Sequence, residues 1–430
     1  MKRPLSIAAG CLTVVLGLAG CSAGSQSQEE GPVTLRVMSA TVVEKPDGEA
    51  EKAMAEAFMA ENPNIKIEFM GTPMNEMYSK LTTMATGGEL PDVFTNSPEF
   101  SSQADDIGIV EPLDELLGKD YVAGFEKATL DQAYVNDALQ FAPFFTIPTG
   151  LLYRKDLFDA AGLQVPETWE EFIEVSQKLT VDENKDGSPE RYGFAMVGSN
   201  NGSGGSRFIP IMRTFGATEL REDGGGFVTD FDTPEATEAF QLYGDLVNKF
   251  KVVPPGPLQT SYGEAVSLMA SDKAAMMVTG PHSIGAITTQ NPELKGKLAG
   301  APLPHASGEK PAASLGMLGF SISSESKNKE AAAKYLKFIL NKENQLAWNT
   351  ATGRIPSRTD AAQDPQVQRD ELKGFLDAQE FAFKMPDVPY YASLQVIAAE
   401  SYQAVITGQS SAEDAAKTAA EKTERKIANK

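Results

Sequence analysis

Asp182, Asn184 and Asp186 place three oxygen-bearing side chains at alternate positions, with Gly187 directly after them. That is the opening of a calcium-binding loop, although the twelfth position, where such loops carry a bidentate Glu, is Gly193. The competing expectation is a polar turn whose Asp and Asn side chains bond their own backbone. No other cofactor is expected. His282 and His305 are the only histidines, which argues against a His-rich metal centre and against metal capture. Beyond residue 31 the chain lacks G-x-S-x-G, H-E-x-x-H, a P-loop and G-x-G-x-x-G, so no familiar catalytic motif supplies a mechanism. Carboxylates are plentiful, 59 Asp and Glu in all, so counting alone leaves a glycosidase-type pair open.

The ends of the chain say where such chemistry would operate. Lys2 and Arg3 precede an apolar segment from Leu5 to Leu18 and a small-residue exit at Gly20. This is the layout of a secretory signal, residues 1–20, and it is too short for the roughly 20 apolar residues of a membrane span. Leu18-Ala-Gly-Cys21 looks like a bacterial lipoprotein box, so Cys21 is expected to carry lipid on the outer face of the cell membrane or in the periplasm. Residues 21–31, rich in Ser, Gln, Gly and Glu, then read as a flexible tether. With Cys11 in the signal and Cys21 lipidated, the folded part holds no cysteine and depends on its core. A formal charge of −21 argues against nucleic acid and against electrostatic docking on anionic lipid.

Hydrophobic spacing predicts the elements. Val33–Met38 and Ile65–Phe69 alternate as strands, and Pro91–Phe94 reads as a third, buried one. Between them lie helices carrying Ala53, Met54, Ala57 and Phe58, then Met77, Tyr78, Leu81 and Met84. This order predicts an α/β chain with largely parallel sheet. Further on, Leu151–Tyr153 and Ala274–Val278 read as strands, and Thr168-x-x-Glu171 and Thr233-Pro234 open helices. Roughly 400 residues exceed the ~250–300 that one core serves, so two lobes are expected.

Seven ordered segments give a more specific signal. They are Glu61–Glu68, Lys80–Val93, Leu152–Leu163 with Thr168–Glu171, Asp182–Phe194, Lys273–Pro281, Lys327–Phe338 and Gly353–Arg358. Together they resemble the bacterial extracellular solute-binding proteins of the maltose and multiple-sugar type, along essentially the whole mature chain. The resemblance implies a two-lobed, type II periplasmic-binding-protein-like fold, each lobe a mainly parallel sheet flanked by helices, joined by a multi-stranded hinge. By that analogy residues 32–146 and 305–344 form lobe I, and residues 147–304 and 345–430 form lobe II. The implied function is capture of a carbohydrate in the inter-lobe cleft by hinge closure, then delivery to the permease of an ATP-driven importer. The implied protein is a monomer and not an enzyme. A polyol or glycerol-phosphate-type solute, or a lipid-anchored hydrolase, is the alternative.

A sugar cleft calls for flat aromatic faces and planar polar groups at strand ends and loop tips. On that basis the first lobe is expected to offer Glu44, Lys45, Asn96, Phe145, Gly316 and Met317, and the second Asn201, His282 and Arg354. Gly280-Pro281-His282 departs from the family's usual Gly-Pro-Trp, and the first strand lacks the tryptophans common in sugar binders. Trp169 and Trp348 read as helix packing residues, which favours a small sugar over a long malto-oligosaccharide. A histidine at position 282 is also expected to tune affinity near pH 6.5.

Overall fold

The computed structural model describes residues 31–428 except Asp387 and Pro389. The signal segment, Cys21 and the tether up to Glu30 lie outside the described residues. Alternating apolar residues make Val33–Ser39 a strand whose inward side chains Leu35 and Val37 are fully buried. It lies parallel to both Ile65–Gly71 and Val93–Asn96. The intervening helices are Asp47–Glu61 and Met74–Gly87, and the second stops at Gly88 with φ of +66°.

The first sheet runs in the order Ile355–Pro356, Ala142–Pro148, Ala313–Ser323, Val93–Asn96, Val33–Ser39, Ile65–Gly71. A second sheet runs Leu298–Ala301, Gly150–Arg154, Ala274–Thr279, Tyr192–Phe194. Both are mixed rather than mainly parallel. In the second sheet only Tyr192–Phe194 pairs in parallel. Chain routing is the reason. Gly150–Arg154 and Ala313–Ser323 each arrive from the opposite sheet, the first running against both its neighbours and the second against Val93–Asn96 and Ala142–Pro148.

A single residue, Thr149, separates strand Ala142–Pro148 of the first sheet from Gly150–Arg154 of the second. Its N–H donates to Ser314 O at 2.9 Å and its Oγ1 lies 2.6 Å from Ser314 Oγ, so two inter-sheet connections are bonded side by side. Each sheet has its own core. Phe58, Phe144, Phe145, Phe320, Tyr335 and Trp348 belong to the first. Trp169, Phe172, Phe208, Phe240, Tyr243 and Tyr402 belong to the second. Trp169 follows the capping box at Thr168, whose Oγ1 accepts from Glu171 N–H at 3.2 Å.

The boundary expected at residue 344 falls inside helix Lys342–Thr352. That helix carries Trp348 into the first core, and Ile355–Pro356 then pairs with the first sheet, so the chain leaves this lobe later than expected. Helix Asp370–Gln379 covers the second sheet. A Cβ on Gly374 would sit 1.9 Å from Gly300 O, so only glycine allows that approach. Among the described residues no helix is long and apolar enough to cross a membrane.

Candidate functional site

The loop after the first strand is held from below. Ser39 and Thr41 donate their hydroxyls to Glu51 Oε2 at 2.8 and 2.7 Å. Burial pushes the Glu51 carboxyl up to about 7. This clasp seats the turn Thr41–Val43 on helix Asp47–Glu61 and presents Glu44 and Asp47 together. Arg354 reaches them from beyond the helix Lys342–Thr352, after Gly353 reverses the chain at φ of +73°. Its Nη2 donates to Glu44 Oε2 at 3.2 Å, and its Nε lies 2.6 Å from Asp47 Oδ1. The guanidinium sits 4.5 Å above the Phe145 ring, and that ring stacks in turn on Trp348. Burial raises the Glu44 carboxyl against the opposing pull of Arg354.

The second lobe meets this cluster at the end of strand Ala274–Thr279. A Cβ on Gly280 would come within 2.2 Å of Ile147 Cγ2, so glycine lets the strand end close on the crossover. His282 opens helix His282–Gln290 with its ring 5.3 Å from Tyr262. Its Nδ1 is buried and has no hydrogen-bond partner among the described residues. Burial, together with the Arg354 and Arg207 cations, holds its pKa well below 6.5. The ring is therefore neutral around pH 6.5, and the expected tuning of affinity there is corrected.

Between the lobes lies a cavity of about 220 Å³. Ile147, Thr149, Ser314 and Gly316 of the crossing strands line one side, with Glu99 of the first lobe. Arg207, Thr279, Gly280 and His282 of the second lobe line the other, and Tyr391 and Gln395 help to close it. A larger, more open hollow of about 1140 Å³ flanks strand Leu298–Ala301 and helix Asp370–Gln379, away from the facing strand ends. The smaller cavity is the one both sheets build, and His282, with its unpartnered Nδ1, lines it. It is the candidate site.

The expected residues divide into three groups. Gly316 and His282 line the cavity, and Glu44 and Arg354 form the charged cluster beside it. Phe145 is fully buried under Arg354, so it offers no open face for stacking a sugar ring. The others are engaged elsewhere. Lys45 points to solvent with 85% of its side chain exposed and pairs with Glu49. Met317 is packed in the first core, and Asn96 is buried with its Nδ2 on Ser321 Oγ at 2.9 Å. Asn201 caps helix Gly202–Arg213 by accepting from Ser203 and Gly204 N–H groups. Asp182, Asn184 and Asp186 accept from backbone N–H groups of residues 186 to 188, the geometry of a polar turn. Among the described residues no group of three or more His, Cys, Asp or Glu side chains is arranged to hold a metal ion.

Asp47, Tyr262, Arg207 and Glu99 were not anticipated. Asp47 reads as an ordinary first-turn acid of its helix. Arg207 sits in Gly202-Ser-Gly-Gly-Ser-Arg207, a composition that suggests a loop. The signal there was the glycines, since a Cβ on Gly205 would lie 1.9 Å from Gln395 O, which marks a tightly packed helix.

Two mixed sheets, linked side by side and enclosing a small cavity at their junction, define a two-lobed solute-binding protein of the type II periplasmic-binding-protein-like fold. The chain belongs to the family of bacterial extracellular solute-binding proteins, whose pattern matches residues 43–346. It is 26% identical to a solute-binding protein of Thermotoga lettingae solved with α-D-tagatose, covering 91% of this chain and 99% of that one with a TM-score of 0.78. A maltose-bound protein of T. maritima is 27% identical over the same shares, also at 0.78. Among curated proteins, the galactooligosaccharide-binding protein of Bacillus subtilis is 24% identical over 446 residues, 99% of this chain and 98% of its own.

Proposed function

We propose that this protein captures a small carbohydrate between its two lobes and delivers it to the membrane subunits of an ABC importer. One lobe is built on residues up to Pro148 with the later strands Ala313–Ser323 and Ile355–Pro356, and the other mainly on the remainder. The observation that carries the reading is the cavity at the crossover. Its size, about 220 Å³, falls below the ~300–1,000 Å³ of drug-sized ligand pockets and suits a monosaccharide-scale solute. The tagatose-bound relative agrees with that scale. The polar groups on both walls give a ligand differential contact with the closed form, which is what drives closure.

Catalysis is the weaker reading. Glycoside hydrolysis uses a pair of carboxyl groups across the scissile bond, and among the described residues lining the cavity Glu99 is the only carboxylate. A thermal-shift panel of mono-, di- and oligosaccharides and polyols tests the proposal. A true ligand at 100 times its Kd adds about 2.7 kcal/mol of stability. No shift with any member of the panel would sink it, and disappearance of the ligand over time would favour a hydrolase.

Cys21, lipidated in this proposal, tethers the protein on the outer face of the cell membrane, beside the importer it serves. The protein is then expected to sediment with membranes, and Cys21→Ser to release it into the soluble fraction. An unaltered distribution in that variant would exclude the anchor.

A further inference from the structure

Arg154, Arg213, Arg354 and Arg358 are well shielded from solvent, and each holds a carboxylate: Asp156 and Asp272, Glu219, Glu44 and Asp47, and Asp360 respectively. Arg36 and Arg207 form no ion pair among the described residues, and of these two Arg207 lines the cavity. Its Nε donates to Val278 O at 3.1 Å and its Nη1 to Ser203 O and Oγ, each at 2.8 Å. The ring of Tyr262 lies 5.1 Å from the guanidinium carbon. No Asp or Glu lies within ion-pair distance among the described residues, and Nη2 has no hydrogen-bond partner among them. Every group that touches Arg207 is thus neutral, while the guanidinium lines the cavity.

A largely buried cation without a counter-charge is costly, and removal of its charge is not open to arginine. Glu99 faces the cavity from the first lobe, but no ion pair joins it to Arg207, and its Oε2 accepts from Ser97 Oγ. The cavity is therefore polarised, cationic at the second-lobe wall and anionic at the first. A neutral sugar would satisfy Glu99 through its hydroxyls and leave the guanidinium without an anion. A carboxylate would accept a charge-assisted hydrogen bond from Nη2, the guanidinium nitrogen left without a partner.

We infer that the solute is a monosaccharide-scale sugar acid, its carboxylate held by Arg207 and its hydroxyl end turned toward Glu99. This rests on the carbohydrate reading above and names the class of carbohydrate. Neutral sugars and sugar phosphates are the competitors, and one titration series separates them.

The test is calorimetric titration of the full chain with D-galacturonate, D-glucuronate and D-gluconate, beside D-galactose, D-glucose and glucose 1-phosphate. At least one acid is expected to bind about tenfold or more tighter than its neutral counterpart, the scale of one charge-assisted hydrogen bond. Arg207→Gln is expected to bring the two affinities together, and Arg207→Lys to keep only part of the preference. Neutral sugars binding as tightly as the acids would overturn the inference while leaving the carbohydrate reading intact. Tighter binding of glucose 1-phosphate would overturn the carboxylate assignment, and so would an acid preference surviving in Arg207→Gln. The wild-type ratio decides the matter even if the variants fold poorly. Binding of none of these, nor of any sugar or polyol in the thermal-shift panel, removes the carbohydrate reading itself.

Discussion

Trp348→Ala is expected to lower the unfolding free energy by about 3–5 kcal/mol, the scale for truncating a buried aromatic. The ring is 1% exposed, its centroid is 4.4 Å from that of Phe144, and it stacks on Phe145. Alanine suits the helix Lys342–Thr352, so the loss comes from the cavity left in the first core and not from helix propensity. Trp348→Phe should behave differently. Trp348 Nε1 is buried without a hydrogen-bond partner among the described residues, so phenylalanine removes a penalty of about 1–3 kcal/mol along with some packing. Urea midpoints for the two variants should therefore be well apart. Equal losses would mean that the unpartnered N–H carries no penalty. The Phe variant also leaves Trp169 as the sole tryptophan, bonded through Nε1 to Thr214 Oγ1 at 2.9 Å, so its fluorescence follows the second lobe alone.

Asp47→Ala should cost about 3 kcal/mol, the lower end of what breaking a buried ion pair costs. Asp47 is 5% exposed at its side chain and Arg354 11%, so the partner is left in a site with little water. Glu44 remains, but 47% of its side chain is exposed, and it replaces Asp47 only in part. The double variant Asp47→Ala, Arg354→Met should recover much of the loss, because it removes the stranded cation and keeps apolar contact with Phe145. Chemical unfolding of the four species gives the coupling. A double variant as unstable as the sum of the singles would show that the two side chains do not act as a pair.

The fold was legible in proportion to how local its signals are. Alternation in Val33–Ser39 and Ile65–Gly71, the caps at Thr168 and Thr233, and the stop at Gly88 each act within a few residues. Strand direction in the second sheet is not local. Gly150–Arg154 and Ala274–Thr279 are buried runs whose spacing carries no direction, and only the route through Thr149 sets them antiparallel. The site shows the same limit. Gly316, inside strand Ala313–Ser323, and His282, just beyond strand Ala274–Thr279, both line the cavity. Asn96 and Asn201 have the same chemistry, but their own neighbouring N–H groups occupy them. Arg207 was hidden because its importance lies in the lack of a carboxylate, and that is a property of its surroundings.

The strand order has a consequence for how the chain is made. Ala313–Ser323 lies between Val93–Asn96 and Ala142–Pro148, yet every strand of the second sheet is synthesised before it. At about 5–20 residues per second, a ribosome takes on the order of ten seconds to go from the one flank to the missing centre. Throughout that interval the first sheet is a three-stranded part and the separate strand Ala142–Pro148, both with open edges, which invite pairing with other chains. A partly made polypeptide of this topology has no finished first domain to fold early. It completes its first lobe only after most of its length has emerged.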